Sequence, residues 1–252
     1  MTTPPNSPSR ESTSPPPGQA PGKREAVEAM FDDIAPRYDL LNRILSFGID
    51  QIWRDRAIAW LEDDRPRRIL DVATGTGDLA IKALDLEPDA IVGVDISEEM
   101  LVQGRRKVER IGRESIITLR RGDAARLPFS DRQFDAALVA FGVRNFENLQ
   151  DGLREIRRVL KPGGALVVLE FSHPTAFPIK QAYSFYSHVV LPVIGRLLSN
   201  NSAAYEYLPA SVDVFPSGDA FRQEMRDAGY EGVLVKPLTF GIASLYKGRR
   251  AR

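Results

Sequence analysis

The chain has 252 residues, 34 basic against 34 acidic side chains, no cysteine and two histidines, His173 and His188. Its length suits one α/β domain with decorations. The charge balance supplies no general field for nucleic acid, and zero cysteines exclude a disulfide framework or a thiolate centre. Two histidines are too few for a His-based metal site, so no metal is expected, and no apolar run reaches membrane-span length.

Residues 1–22 are rich in Pro, Ser, Thr and Gly and poor in apolar side chains, the composition of a disordered leader. They show neither an apolar signal core nor the Arg-rich pattern of a transit peptide, so the expected compartment is the cytoplasm. Residues 23–252 then read as one domain. Met30, Phe31, Ile34 and Tyr38 recur at helical spacing, interrupted by Pro36, and a further helix runs through Trp60 and Leu61. The stretch 23–66 is therefore expected as a helical cap, its aromatics either packed in a core or lining a pocket.

Arg68 to Val72 reads as a short buried strand and Asp78 onward as a helix, with a tight turn between them. Ala90 to Ile96 is a second buried strand, followed by Ser97 as N-cap and Glu98 and Glu99 in a first helical turn. Ile116 to Arg121 and Phe134 to Phe141 are the third and fourth strands. Leu149, Leu153, Ile156 and Leu160 mark one helix face, stopped by Pro162-Gly163-Gly164, and Ala165 to Phe171 is the fifth strand. Apolar strands alternating with helices predict a Rossmann-like, mostly parallel sheet covered on both faces. Residues 173–216 break that rhythm as a helical lid insertion. They carry Tyr183, Phe185, Tyr186, Tyr205 and Tyr207 and the apolar piece from Val189 to Ile194. Such content suits a greasy substrate or a bilayer surface, and equally a satellite core or a homodimer contact. A helix from Ser217 to Ala228 and two strands, Gly232 to Leu238 and Ile242 to Lys247, make a sheet of seven strands with a hairpin at one edge.

The turn after the first strand carries the chemistry. Gly75-x-Gly77-x-x-Ala80 fits a dinucleotide fingerprint, but Asp71 stands at the strand end just ahead of it. A carboxylate there repels a pyrophosphate and attracts an ammonium group, while helix-start N–H groups favour a carboxylate. S-adenosylmethionine presents both groups on a nucleoside. Asp95, about 20 residues beyond the glycines, is placed to accept ribose hydroxyls, and Asp123-Ala124 to meet a purine edge. Asp71, Asp95 and Asp123 each follow a strand, so they are expected to converge on one crevice.

The pattern resembles Rossmann-like S-adenosylmethionine-dependent methyltransferases. Tyr38-Asp39-Leu40-Leu41-Asn42 with Ser46 and Trp53, Phe141-Gly142-Val143-Arg144-Asn145, and Arg158 to Gly164 with Glu170 and Ser172 resemble one family among them. It is the quinone-ring C-methyltransferase family of menaquinone and ubiquinone biosynthesis, and the resemblance covers about residues 26–248. It implies that Thr76, Asp95, Asp123 and Ala124 contact S-adenosylmethionine, beside Gly75 and Gly77 of the turn. Asp50 departs from the family's usual His, and Ala140 from a Ser that some members carry.

The implied reaction is methylation of a ring carbon of a prenylated quinol: demethylmenaquinol, with the ubiquinone-pathway benzoquinol as closest competitor. Arg144 is the candidate to stabilise phenolate and Asn145 to orient a water or hydroxyl, with His173 as another proton acceptor and Tyr205 and Tyr207 as ring-pocket residues. The isoprenoid tail implies peripheral contact at the inner face of the membrane. Competing readings are another small-molecule methyltransferase, an NAD-dependent oxidoreductase and a non-catalytic nucleoside-binding subunit.

Overall fold

A computed structural model of the chain describes residues 22–190 and 203–252. The leader other than Gly22, and the apolar piece from Leu191 onward, lie outside the described residues. Seven strands form one sheet in the order β3-β2-β1-β4-β5-β7-β6. They are β1 (Arg68–Val72), β2 (Ala90–Asp95), β3 (Ile117–Arg121), β4 (Phe134–Ala140), β5 (Leu160–Phe171), β6 (Tyr230–Leu238) and β7 (Ala243–Arg250). The first five pair in parallel, and β7 runs antiparallel between β5 and β6. Order reverses between β1 and β4, so the crevice past their carboxyl ends is where a ligand is held in such a sheet.

Alternation along each strand feeds two apolar layers. Ile69, Leu138, Val167 and Leu245 face one side, joined by Trp53 and Leu101. Leu70, Val139, Val168 and Tyr246 face the other, joined by Ile156 and Phe221. The first side is covered by α3 (Ile49–Ala59), α4 (Asp78–Lys82) and α5 (Glu98–Arg110), the second by α6 (Leu149–Val159) and α9 (Asp219–Asp227). Ahead of them, α1 (Lys23–Ile34) and α2 (Tyr38–Leu45) are separated by a 3-10 turn over Ala35–Arg37, where Pro36 cannot continue the helix. Between β5 and α9 stand α7 (Ile179–Phe185), a π-helical turn over Tyr186–Val190, and α8 (Ala203–Val214). Among the described residues no helix is long and apolar enough to cross a membrane.

Several element ends shift from the sequence reading by up to three residues, and two of the differences bear on the strands beside the crevice. Leu160 starts β5 rather than ending α6: it pairs with Phe134, and the ladder resumes at Ala136 with Ala165. Lys161 to Gly164 is an irregular bend within one strand, with Gly163 at φ +78°, so the helix breaker punctuates the strand instead. Phe141 leaves β4 at φ +58°, in the left-handed region that costs a bulky side chain about 1–3 kcal/mol. That cost falls at the crevice.

Candidate active site

Gly75 and Gly77 adopt φ +55° and +79°, which lets the chain double back between β1 and α4. Across the crevice Gly142 is needed for close approach, because a Cβ there would lie 2.4 Å from that of Ala73. The result is a chamber whose wall includes Gly75, Asp95, Asp123, Ala124 and Asn145. Asp95 is clamped by backbone: Gly75 N–H donates to Oδ2 at 2.7 Å and Ser97 N–H to Oδ1 at 3.0 Å. Burial raises its pKa, with those amides pulling the other way. Ser97 caps α5 through Met100 N–H at 3.1 Å, as its position after β2 predicts.

Asp71, Thr76 and Gly77 are not in that wall. Asp71 lies beneath the turn on the same face as Ile69, where Thr74 Oγ1–H donates to its Oδ2 at 2.5 Å. Its Oδ1 is buried with no hydrogen-bond partner, and burial pushes the carboxyl up to about 7. An unpaired buried carboxylate oxygen below a crevice lined by a second carboxylate fits a ligand bearing an ammonium group. Thr76 is tied elsewhere: its Oγ1 meets Asp39 at 2.6 Å and Lys107 at 2.8 Å, and Lys107 also pairs with Asp39 and Asp78 at 2.5 Å. This network fixes α2 and α5 to the turn.

α1 closes over the chamber. Asp32 accepts from Ser97 Oγ at 2.5 Å, Arg24 pairs with Asp123 at 3.1 Å, and Glu28 pairs with Arg121. Lys23 Nζ donates to the carbonyls of Arg144 and Phe146 at 3.1 and 2.7 Å.

A second, larger and mainly apolar cavity of about 400 Å³ adjoins the first, and Phe31, Tyr38 and Phe141 line both. Arg144 sits in its wall, nearly buried, with Nη1 on Glu170 Oε1 at 2.8 Å and Nε facing Ser211 Oγ at 3.3 Å. Glu170 is fully buried, so this pair fixes the guanidinium in one place. Asn145, in the smaller chamber, accepts from Tyr207 Oη–H at 3.0 Å, which leaves its amide N–H₂ as donor. Tyr183 also lines the larger cavity, its hydroxyl pushed up to about 12 by burial. His173 lines neither cavity; its Nε2 lies 3.1 Å from the Val212 carbonyl and joins the end of β5 to α8. The side chains of Tyr205 and His188 lie outside the described residues.

Sequence reasoning left the role of Glu170 unread. A lone carboxylate inside the apolar run of β5 was its signal, since a buried charge demands a cation. It also left unread the Asp50–Arg54 pair, four residues apart on α3 and lining the larger cavity.

A switch-point chamber on a mostly parallel seven-stranded sheet is a Rossmann-like fold, and the family match makes its class a methyltransferase. Residues 20–250 match the model of the ubiE/COQ5 methyltransferase family, and the chain belongs to that family. A demethylmenaquinone methyltransferase of Bacteroides fragilis is 50% identical over 89% of this chain and 92% of its own length. A second relative so named, from Thermus thermophilus, is 48% identical over 88% of this chain and 100% of its own. A ubiquinone/menaquinone biosynthesis C-methyltransferase UbiE of Geobacter sulfurreducens is 47% identical over 90% of each. Among solved structures, the [4+2]-cyclase SpnF matches with TM-score 0.65 at 17% identity, covering 92% of this chain and 97% of its own. A SAM-dependent methyltransferase from Thermotoga maritima matches with TM-score 0.61 at 18% identity, covering 88% and 99%. These two carry the fold alone.

Proposed function

We propose that the chain moves a methyl group from S-adenosylmethionine to a ring carbon of demethylmenaquinol, giving menaquinol. The observation that carries this reading is the shared wall. A chamber carrying the carboxylates of Asp95 and Asp123 and a large apolar cavity meet at Phe31, Tyr38 and Phe141, with Arg144 in the wall of the second and Asn145 in that of the first. Relatives named for demethylmenaquinone support the choice of acceptor.

In this reading Asp95 receives the ribose hydroxyls, Asp123 and Ala124 the purine, and the turn from Gly75 to Gly77 the headgroup, whose ammonium pairs with Asp71. Thr76 acts through Asp39 by fixing the turn. When bound, S-adenosylmethionine supplies an electrophilic sulfonium methyl. The protein's share is alignment, which in well-oriented systems is worth roughly 7–11 kcal/mol. Loss of the phenolic proton pushes electron density onto the neighbouring ring carbon. Arg144, held by Glu170, stabilises the phenolate, and Asn145, held by Tyr207, orients the hydroxyl or a water that takes the proton. The stretch 23–66 serves as a cap over the chamber, and the described parts of 173–216, residues 173–190 and 203–216, as a lid on the acceptor cavity.

Purified protein with S-adenosylmethionine and a reduced demethylnaphthoquinone is expected to yield the ring-methylated product. Methyl transfer only to oxygen, nitrogen or protein would overturn the reading, and a benzoquinol turned over in preference would move the acceptor.

The isoprenoid tail also implies a membrane-facing mouth. Phe47 lines the larger cavity and is 78% exposed, and Phe185, Val189 and Phe240 stand exposed beside other lining residues. Contiguous exposed apolar groups mark a contact surface. Phe47→Asp with Phe240→Asp should leave the melting temperature unchanged and abolish pelleting with liposomes; unchanged pelleting removes this rim from the membrane contact.

A further inference from the structure

Asp50 is 5% exposed and lines the larger cavity, an ionisable group in a mostly apolar wall. Ser46 Oγ–H donates to its Oδ1 at 2.6 Å, Gln51 Nε2–H to its Oδ2 at 2.9 Å, and Arg54 pairs with the same oxygen. Every one of these partners stands within four residues of Asp50 in sequence. As a structural device the cluster therefore bridges nothing that α3 and its lead-in do not already hold together. Buried ion pairs add little stability over apolar residues of the same volume, so stability alone does not account for a carboxylate here.

Its surroundings point to the acceptor ring instead. The Arg54 guanidinium lies 5.5 Å from the centre of the Phe141 ring, the side chain common to both cavities. Arg144 is also held at Phe141, through that residue's carbonyl, and lies over Phe171, whose ring is 4.6 Å from that of Phe141. Two cation–carboxylate pairs thus flank one aromatic wall. A quinol carries two hydroxyls on opposite sides of its ring. Burial pushes the Asp50 carboxyl up, but the Ser46 hydroxyl and the Arg54 charge outweigh it and keep the group below its ordinary value. An ionised carboxylate accepts hydrogen bonds strongly and is a poor base.

We propose that Asp50, set by Ser46 and Arg54, accepts a hydrogen bond from the ring hydroxyl remote from Arg144 and so fixes which ring carbon meets the methyl. The proposal rests on the quinol reading above and deepens it. It also makes the site select the reduced ring, because a quinone carbonyl offers no proton to a carboxylate.

The test compares two acceptors. One is a prenylated 1,4-naphthalenediol; the other is the matching 3-prenyl-1-naphthol, which keeps the hydroxyl beside the acceptor carbon and lacks the remote one. Asp50→Asn is expected to lower kcat/KM for the diol about 10-fold and for the naphthol less than about 3-fold, the size of one charge-assisted hydrogen bond. Ser46→Ala, a milder change that leaves the ion pair in place, is expected to shift the same ratio about 3-fold. A merely structural role lowers both acceptors together. The proposal is overturned if neither variant changes the diol-to-naphthol ratio, whatever the loss in activity. Should Asp50→Asn fail to fold, Ser46→Ala decides alone. Wild-type protein that binds S-adenosylmethionine but methylates neither acceptor fails the quinol reading itself, which is a distinct result.

Discussion

The smaller chamber holds its key carboxylate with backbone: Asp95 is gripped by the amides of Gly75 and Ser97, all within one βαβ unit. The larger cavity holds its Arg144 with side chains from distant segments, Glu170 and Ser211. Backbone grips survive most side-chain changes, whereas side-chain grips are retuned by single substitutions. A cofactor site of the first kind can therefore stay constant while an acceptor site of the second kind varies.

The comparison can be sharpened by damage to one side at a time. Arg144→Ala should lower kcat about 10³-fold, the scale of losing a fixed donor to developing negative charge. Calorimetric affinity for S-adenosylmethionine should change less than about 3-fold; a collapse there would join the two chambers energetically. Asp95→Ala should act in the opposite sense, weakening S-adenosylmethionine about 10²-fold through lost charged hydrogen bonds. The kcat at saturating cofactor should hold within a few-fold, and a matching loss in kcat would break the separation.

Asp71 gives a prediction in pH. Its folded value of about 7 lies above the ordinary 3.8, so the folded chain binds this proton more tightly than the unfolded one. The stability cost of ionising it is absent below about pH 4, grows as pH rises, and is complete above about 7. Asp71→Asn removes the charge. Its stability at pH 8 should exceed wild type by up to about 4 kcal/mol in denaturant titrations, with the gain vanishing near pH 4, while S-adenosylmethionine affinity falls. A gain that does not depend on pH would contradict the assignment. Gly142→Ala acts on the smaller chamber beside the shared Phe141, since its Cβ would press on Ala73. A loss of about 1 kcal/mol in stability is expected, with turnover and cofactor affinity reduced together.

The same contrast explains what the sequence made legible. The strands, the glycine turn and the Ser97 cap follow from short-range patterns: apolar runs, φ-permissive residues and a hydroxyl ahead of acidic residues. The lining positions of Asp95, Asp123 and Ala124 follow because parallel strands deliver their ends to one crevice. The pattern puts Asp71 near the end of β1, but its depth beneath the turn depends on Thr74, which no period announces. Contacts such as Tyr207 with Asn145, or Asp32 with Ser97, join residues more than 60 apart and leave no local trace. Leu160 reads as helix but starts β5, because a helix and a strand can both use an apolar residue at their junction.

The position of α1 bears on the traffic of small molecules. Two of its fastenings, Arg24 to Asp123 and Glu28 to Arg121, are ion pairs with partly exposed ends, and such attractions fade as salt rises. On the proposed reading the spent nucleoside leaves past this helix, and the lipid-soluble acceptor uses the mouth at Phe47 instead. Raising ionic strength should then quicken departure of S-adenosylhomocysteine in stopped-flow measurements and leave quinol entry untouched, giving the two cargoes independently governed exits.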